Sequence, residues 1–251
     1  MVDNDPFVSW FDALERRHLA NLTFSEVRRS VQTLSSLYVE RRSRLKTGSA
    51  LIGAGKRAAF ALFFAPLHFL LVREIVRALN ASIPSGFAIL DLGCGTGPAG
   101  AAWALEIKQS PDLLGVDLSS WAVEECRWNC RQLGIRGSAR KGDLKDVRVP
   151  ARTAVVAAFT INELETADRN RFLAEFLKIH DSGSPVLVVE PIARKLAAWW
   201  DDWAKQFNAA GGRADEWRFH VPLPEGLGLM DRAAGLDHHE LTGRSLWLST
   251  S

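Results

Sequence analysis

Hydrophobic positions along the chain change their period twice. From Phe7 to Tyr38 they recur at helical spacing, first Phe7, Trp10, Phe11 and Leu14, then Val27, Val31, Leu34 and Leu37-Tyr38. Steps of three and four residues put each set on one face of a helix. Thr23 and Glu26, three apart, fit a capping box at the head of the second set. Residues 58–72 then run without a formal charge. A membrane span needs about 20 apolar residues, so this run predicts a buried helix over 56–79, kinked at Pro66, and no membrane association.

Beyond Ile83-Pro-Ser-Gly86, a turn, the period changes again. Short apolar runs at 88–92, 113–117, 138–141, 153–159 and 185–190 read as strands. Helical stretches at 99–108, 121–133, 167–179 and 195–209 separate and follow them, and 216–221 and 240–248 supply two more strand candidates. Strands alternating with helices predict an α/β fold with a doubly wound, mostly parallel sheet and right-handed crossovers. Residues 1–84 then form an N-terminal helical cap and 85–251 the sheet domain, which 251 residues can bury around a substantial core.

Composition narrows the class. The chain is 47% hydrophobic and 24% charged with net charge +2, so overall charge announces no nucleic-acid binder. Arg41-Arg-Ser-Arg-Leu-Lys46 is a local exception. It reads either as a solvated helix end whose cations complement the dipole or as a phosphate contact. The small, glycine-rich residues 47–55 read as a loop, a lid or a linker. Three cysteines without close repeated spacing fit a reducing compartment, and the acidic start resembles neither a secretory signal nor a transit peptide. A cytoplasmic protein is expected.

The chemistry centres on Ala88-Ile-Leu-Asp-Leu-Gly-Cys-Gly-Thr-Gly97, a strand feeding three alternate glycines and then a helix. Glycines let a ligand approach bare backbone, and the helix N-terminus favours an anionic group there. The spacing is not the Gly-x-Gly-x-x-Gly of dinucleotide binders. It resembles motif I of the class I S-adenosylmethionine-dependent methyltransferases. That resemblance implies a seven-stranded Rossmann-like sheet whose last strands close antiparallel, with S-adenosyl-L-methionine as cofactor. It places Asp91, Gly93, Cys94, Gly95 and Gly97 around the cofactor. It puts Asp117 at the ribose hydroxyls and Asp143 against the adenine amine, and adds Leu118, Leu144 and Thr160 to the residues that bind the cofactor.

Ligands of open α/β sheets bind beyond the carboxyl ends of the strands. Asn162 and Glu163 follow the fourth strand, where they suit either a reaction centre or a helix cap. Glu163, helped by Asn162 or by a histidine such as His68 or His220, is the candidate to orient or deprotonate the acceptor. The Asn/Asp-Pro-Pro-Tyr motif of adenine and amide methyltransferases is missing. Trp199, Trp200, Trp203 and Trp217 form either a core face packed on the helical cap or an aromatic wall for a substrate. No metal is expected, because Cys126 and Cys130 have no second pair and His238 and His239 face opposite sides of a strand.

Residues 158–164, Arg169-Asn-Arg171 and residues 186–191 are also similar to the mitochondrial small-ribosomal-subunit methyltransferase-like family and its bacterial relatives. This implies rRNA methylation, or a non-catalytic, cofactor-binding role in ribosome assembly. The cysteine cluster of that family is absent, since no cysteine follows Cys130. A small aromatic or apolar acceptor is favoured over RNA.

Overall fold

The computed structural model describes residues 5–40, 52–193 and 197–250. The basic stretch 41–46, most of the glycine-rich loop after it and the expected start of a helix at Lys195 lie outside the described residues.

Three helical stretches precede the sheet. Helix α1 (Pro6–His18) is capped by Asp5, whose side chain accepts the Phe7 N–H. Helix α2 (Phe24–Glu40) opens on the expected box: Glu26 Oε2 accepts the Thr23 N–H at 2.8 Å, and Thr23 Oγ1 accepts the Glu26 N–H at 3.3 Å. Helix α3 (Ala54–Ala59) continues through a π-helical turn (Phe60–Phe64) into α4 (Ala65–Leu79). The anticipated kink at Pro66 is replaced by this turn. Proline offers no N–H and crowds the preceding turn; widening residues 60–64 to i→i+5 bonding absorbs both effects while the helix continues. The whole stretch Ala54–Leu79 has 26 residues, long and apolar enough to cross a membrane. Its Leu62, Phe69, Leu70 and Val72 are instead buried in the core shared with α1 and the sheet.

The remainder alternates as expected: β1 (Ala88–Leu92), α5 (Pro98–Glu106), β2 (Leu113–Asp117), α6 (Ser120–Gln132), β3 (Gly137–Lys141), β4 (Thr153–Ala158), α7 (Thr166–Asp181), β5 (Val186–Glu190), α8 (Trp200–Ala209), β6 (Arg213–Phe219), α9 (Glu225–Ala233) and β7 (Leu241–Leu248). The sheet order is β3-β2-β1-β4-β5-β7-β6, and β7 runs antiparallel to both its neighbours. Strand β6 begins at Arg213, three residues before the expected strand, because Gly212 lies against the Trp247 carbonyl and the ladder starts at once. Helix α9 was not foreseen; its Gly226 and Gly228 obscure a helical period.

Alternation along the strands divides the core. Ile89, Leu113, Val156 and Trp247 face α1, α4, α5 and α6, whereas Leu90, Val155, Val188 and Leu248 face α7 and α8. Trp199, Trp200 and Trp203 belong to the second side, packed with Phe176 and Phe207, so they do not meet the N-terminal helices. Trp217 lies on the other side, its Nε1 donating to Ser245 Oγ at 2.8 Å. His220 is exposed beside His239 and joins no tryptophan wall.

Candidate active site

Strand β1 delivers the chain to a turn in which Gly93, Gly95 and Gly97 all have positive φ, +68°, +52° and +84°. Side chains rarely adopt this geometry, and space forbids them too. A Cβ on Gly93 would stand 2.5 Å from Thr160 Oγ1, and one on Gly97 2.6 Å from Cys126 Sγ. The turn is therefore pressed onto its supports, leaving its outer face for a ligand. Asn129 reinforces it from α6: Nδ2 donates to the Thr96 carbonyl and Oδ1 accepts Trp10 Nε1, both at 2.8 Å. This bridge ties α1 to the glycine turn, and no local sequence signal announces it.

A cleft opens at the carboxyl ends of β1, β2 and β4. Its free volume is about 250 Å³, less than the 830 Å³ of an open groove between α1, α4 and the β6–α9 connection. The smaller cleft is the candidate site, because the glycine turn, Asp91 and Asp117 converge there and not in the groove.

Asp117 ends β2 and is held by backbone N–H groups, accepting that of Gly95 at 2.9 Å and that of Ser119 at 2.8 Å. Burial raises its pKa, and those N–H groups oppose the rise. Asp91 is buried behind the turn and accepts the Gly100 N–H at 2.9 Å. Burial pushes its carboxyl up to about 7, the Gly100 N–H pulls it down, and the Asp117 charge adds to the rise. Among the described residues the Gly100 N–H is the hydrogen-bond partner that Asp91 shows, so a cationic ligand beside it would favour its charged form. Leu118 is exposed at the lip, Asp143 caps the 3₁₀ turn Leu144–Asp146, and Leu144 is buried below. Thr160 Oγ1 lies 3.1 Å from the Leu92 and Ala158 carbonyls, which locks the start of the β4 loop beneath Gly93.

Asp91, Gly93, Cys94, Gly95, Asp117, Leu118, Asp143, Leu144 and Thr160 all line this cleft. Gly97 lies behind it as the residue preceding α5. The opposite wall carries His68, Glu163, Phe60 and Phe159. Asn162 does not line the cleft. Its side chain lies between Glu190 and Trp199, accepting Trp199 Nε1 at 2.8 Å. Phe60 and Phe159 were not singled out from the sequence. Phe60 is hidden in a helix apolar on every side, and the φ of +58° that turns Phe159 out of the strand has no signal in residue type.

Bare glycine backbone, a carboxylate at the tip of β2 and a buried carboxylate lacking a cation fit an adenosyl sulfonium amino acid. The comparisons agree. Residues 89–183 match a family model described as a methyltransferase domain, and the glycine turn within them is the stretch that resembles motif I of the class I S-adenosylmethionine-dependent enzymes. Among curated proteins it is 26% identical over 130 residues to a carboxy-S-adenosyl-L-methionine synthase from Alteromonas mediterranea, covering 51% of this chain and 54% of that one. A synthase of the same description from Aliivibrio fischeri is 34% identical over 88 residues, 34% of this chain and 36% of that one. The chain spans about half or less of the length of these relatives. In fold it is similar to a Nostoc punctiforme protein provisionally described as an O-methyltransferase, with TM-score 0.53, 16% identity, and coverage of 86% of this chain and 72% of that one.

Proposed function

We propose that this protein transfers a methyl group from S-adenosylmethionine to a nucleophile on a small aromatic or apolar molecule. The observation that carries this reading is the two-sided cleft. One side holds the glycine turn with Asp91 and Asp117, and the other holds Phe60, His68, Phe159 and Glu163. When bound, the cofactor supplies an electrophilic methyl group on a sulfonium. Asp117 would hold the ribose hydroxyls, with Leu118 and Leu144 beside the adenine. Asp91 would face the positive end of the amino-acid part.

The residues opposite govern the acceptor. Phe60 and Phe159 exclude water, and Glu163 with His68 orients the nucleophile and takes its proton when it must lose one. Calorimetric titration with S-adenosylmethionine and S-adenosylhomocysteine tests the reading. We expect micromolar binding of both, weakened at least tenfold in Asp117→Ala. Failure of both to bind the folded protein overturns it.

The curated relatives favour a second reading, formation of carboxy-S-adenosylmethionine. The rings of Phe60 and Phe159 in the cleft favour transfer to an apolar acceptor over it. Mass spectrometry of the sulfonium after turnover separates the two.

A further inference from the structure

We infer that Trp10 and Asn129 are positioning residues for cofactor binding. The Trp10 indole sets the direction of the Asn129 amide, and that amide holds the far half of the glycine turn. This rests on the reading of the cleft as the S-adenosylmethionine site. It extends that site to helix α1, of which no described residue lines the cleft.

The glycine turn is held differently in its two halves. The first half is tied to β2: the Gly93 and Cys94 N–H groups donate to the Val116 carbonyl, and the Gly95 N–H donates to Asp117. The second half, Thr96 and Gly97, leads into α5. There the Gly97 N–H bonds back to the Cys94 carbonyl at 2.7 Å, within the turn itself. The Thr96 hydroxyl is fully buried and makes no hydrogen bond among the described residues. The bond from Asn129 Nδ2 to the Thr96 carbonyl is what ties this half to α6.

Donor and acceptor types fix the direction of that bond. An indole N–H only donates and a backbone carbonyl only accepts. An amide between them must therefore turn Oδ1 to Trp10 and Nδ2 to Thr96. Both bonds are 2.8 Å long, and both side chains are buried. Trp10 is itself wedged, its ring centroid 5.3 Å from that of Phe69 and 5.7 Å from that of Phe7. Helix α1 grips α6 again two turns further on, where Arg17 and His18 reach the buried Glu125 carboxylate at 2.8 and 3.2 Å. Glu125 and Asn129 lie one turn apart on α6, so the two grips share a helix face and hold α1 in register with it. Without the indole donor the Asn129 oxygen is buried unpaired and its amide loses its fixed direction. Ordering the turn then falls to the ligand, which lowers its affinity.

The test sets Trp10→Phe against Trp103→Phe. Trp103 is equally buried and gives its indole N–H to the Ala81 carbonyl at the same 2.8 Å, in the connection between α4 and β1. Each variant keeps an aromatic ring and loses one buried bond, so both should lower the melting temperature. The full chain is titrated calorimetrically with S-adenosylhomocysteine, well below both midpoints. We expect affinity to weaken about fivefold or more in Trp10→Phe and to stay within about twofold in Trp103→Phe. Asn129→Leu should weaken it about tenfold or more. Adding Trp10→Phe to Asn129→Leu should then change it by less than about twofold, because Trp10 acts through Asn129. If Asn129→Leu does not fold, the two tryptophan variants decide the matter alone. Unchanged affinity in Trp10→Phe, an equal loss in Trp103→Phe, or an additive loss in the double variant overturns the inference. Failure of S-adenosylhomocysteine to bind the unaltered protein overturns the cofactor reading instead, so the two failures are distinct.

Discussion

Asn162 gives its backbone N–H and its side-chain amide to the two carboxylate oxygens of Glu190, at 3.1 and 2.8 Å. Glu190 is fully buried at the end of β5, and Asn162 also accepts the Trp199 indole N–H. The pair fixes the 3₁₀ turn Ile161–Glu163, and with it the position of Glu163 at the cleft. Asn162 is thus a positioning residue. Asn162→Ala leaves buried Glu190 and half-buried Trp199 each short of a hydrogen bond, at a cost of about 1–3 kcal/mol. We expect kcat/KM to fall by about tenfold or more while cofactor affinity stays within twofold. Steady-state kinetics beside calorimetry checks the split, and equal losses in both would refute the positioning role.

Asp91 makes cofactor binding depend on pH. Its carboxyl is raised from 3.8 to about 7, chiefly by burial. Between those values the folded protein holds a proton that the unfolded chain has lost, so this residue lowers stability as pH rises from about 4 to 7. A cationic ligand favours the ionised form, so affinity should move the other way. With half-ionisation near 7, S-adenosylmethionine affinity is expected to drop about tenfold from pH 8 to pH 6. Asp91→Asn should flatten that dependence in calorimetric titrations. An unchanged slope would assign the proton elsewhere.

Trp203 lies in the core beneath the sheet, 2% exposed, with Phe176 edge-on at 6.0 Å and Phe207 stacked at 6.2 Å. Trp203→Ala should cost about 3–5 kcal/mol in denaturant unfolding. Cofactor affinity measured well below the new midpoint should hold within twofold. A loss of acceptor binding with stability intact would instead make this face a substrate wall.

Gly97 faces two constraints at once, its φ of +84° and the Cys126 sulfur behind it. Gly97→Ala is expected to destabilise by about 1–3 kcal/mol through the backbone alone, with the clash added. Adding Cys126→Ala should restore part of the melting temperature and not all, because it relieves the contact and leaves the dihedral strained. Full recovery would show that the clash is the whole effect.

The residues themselves determined the frame. Period-two and period-3.6 patterns place each of β1 to β5 within a residue or two, and the capping box at Thr23 forms as its spacing requires. The glycine turn is just as legible, since three alternate glycines between a strand and a helix leave the backbone few conformations. These features are local, and local sterics and periodicity decide them. What only the tertiary structure decided depends on partners distant in the chain. Asn162 and Glu163 are adjacent, yet Glu190 and Trp199 draw the first away from the cleft while the second lines it. Likewise the tryptophans of α8 pack beneath the sheet, opposite the N-terminal helices, because right-handed crossovers assign each helix its face. His68 and Phe159, 91 residues apart, become a stacked pair only when α4 lies across the ends of the strands.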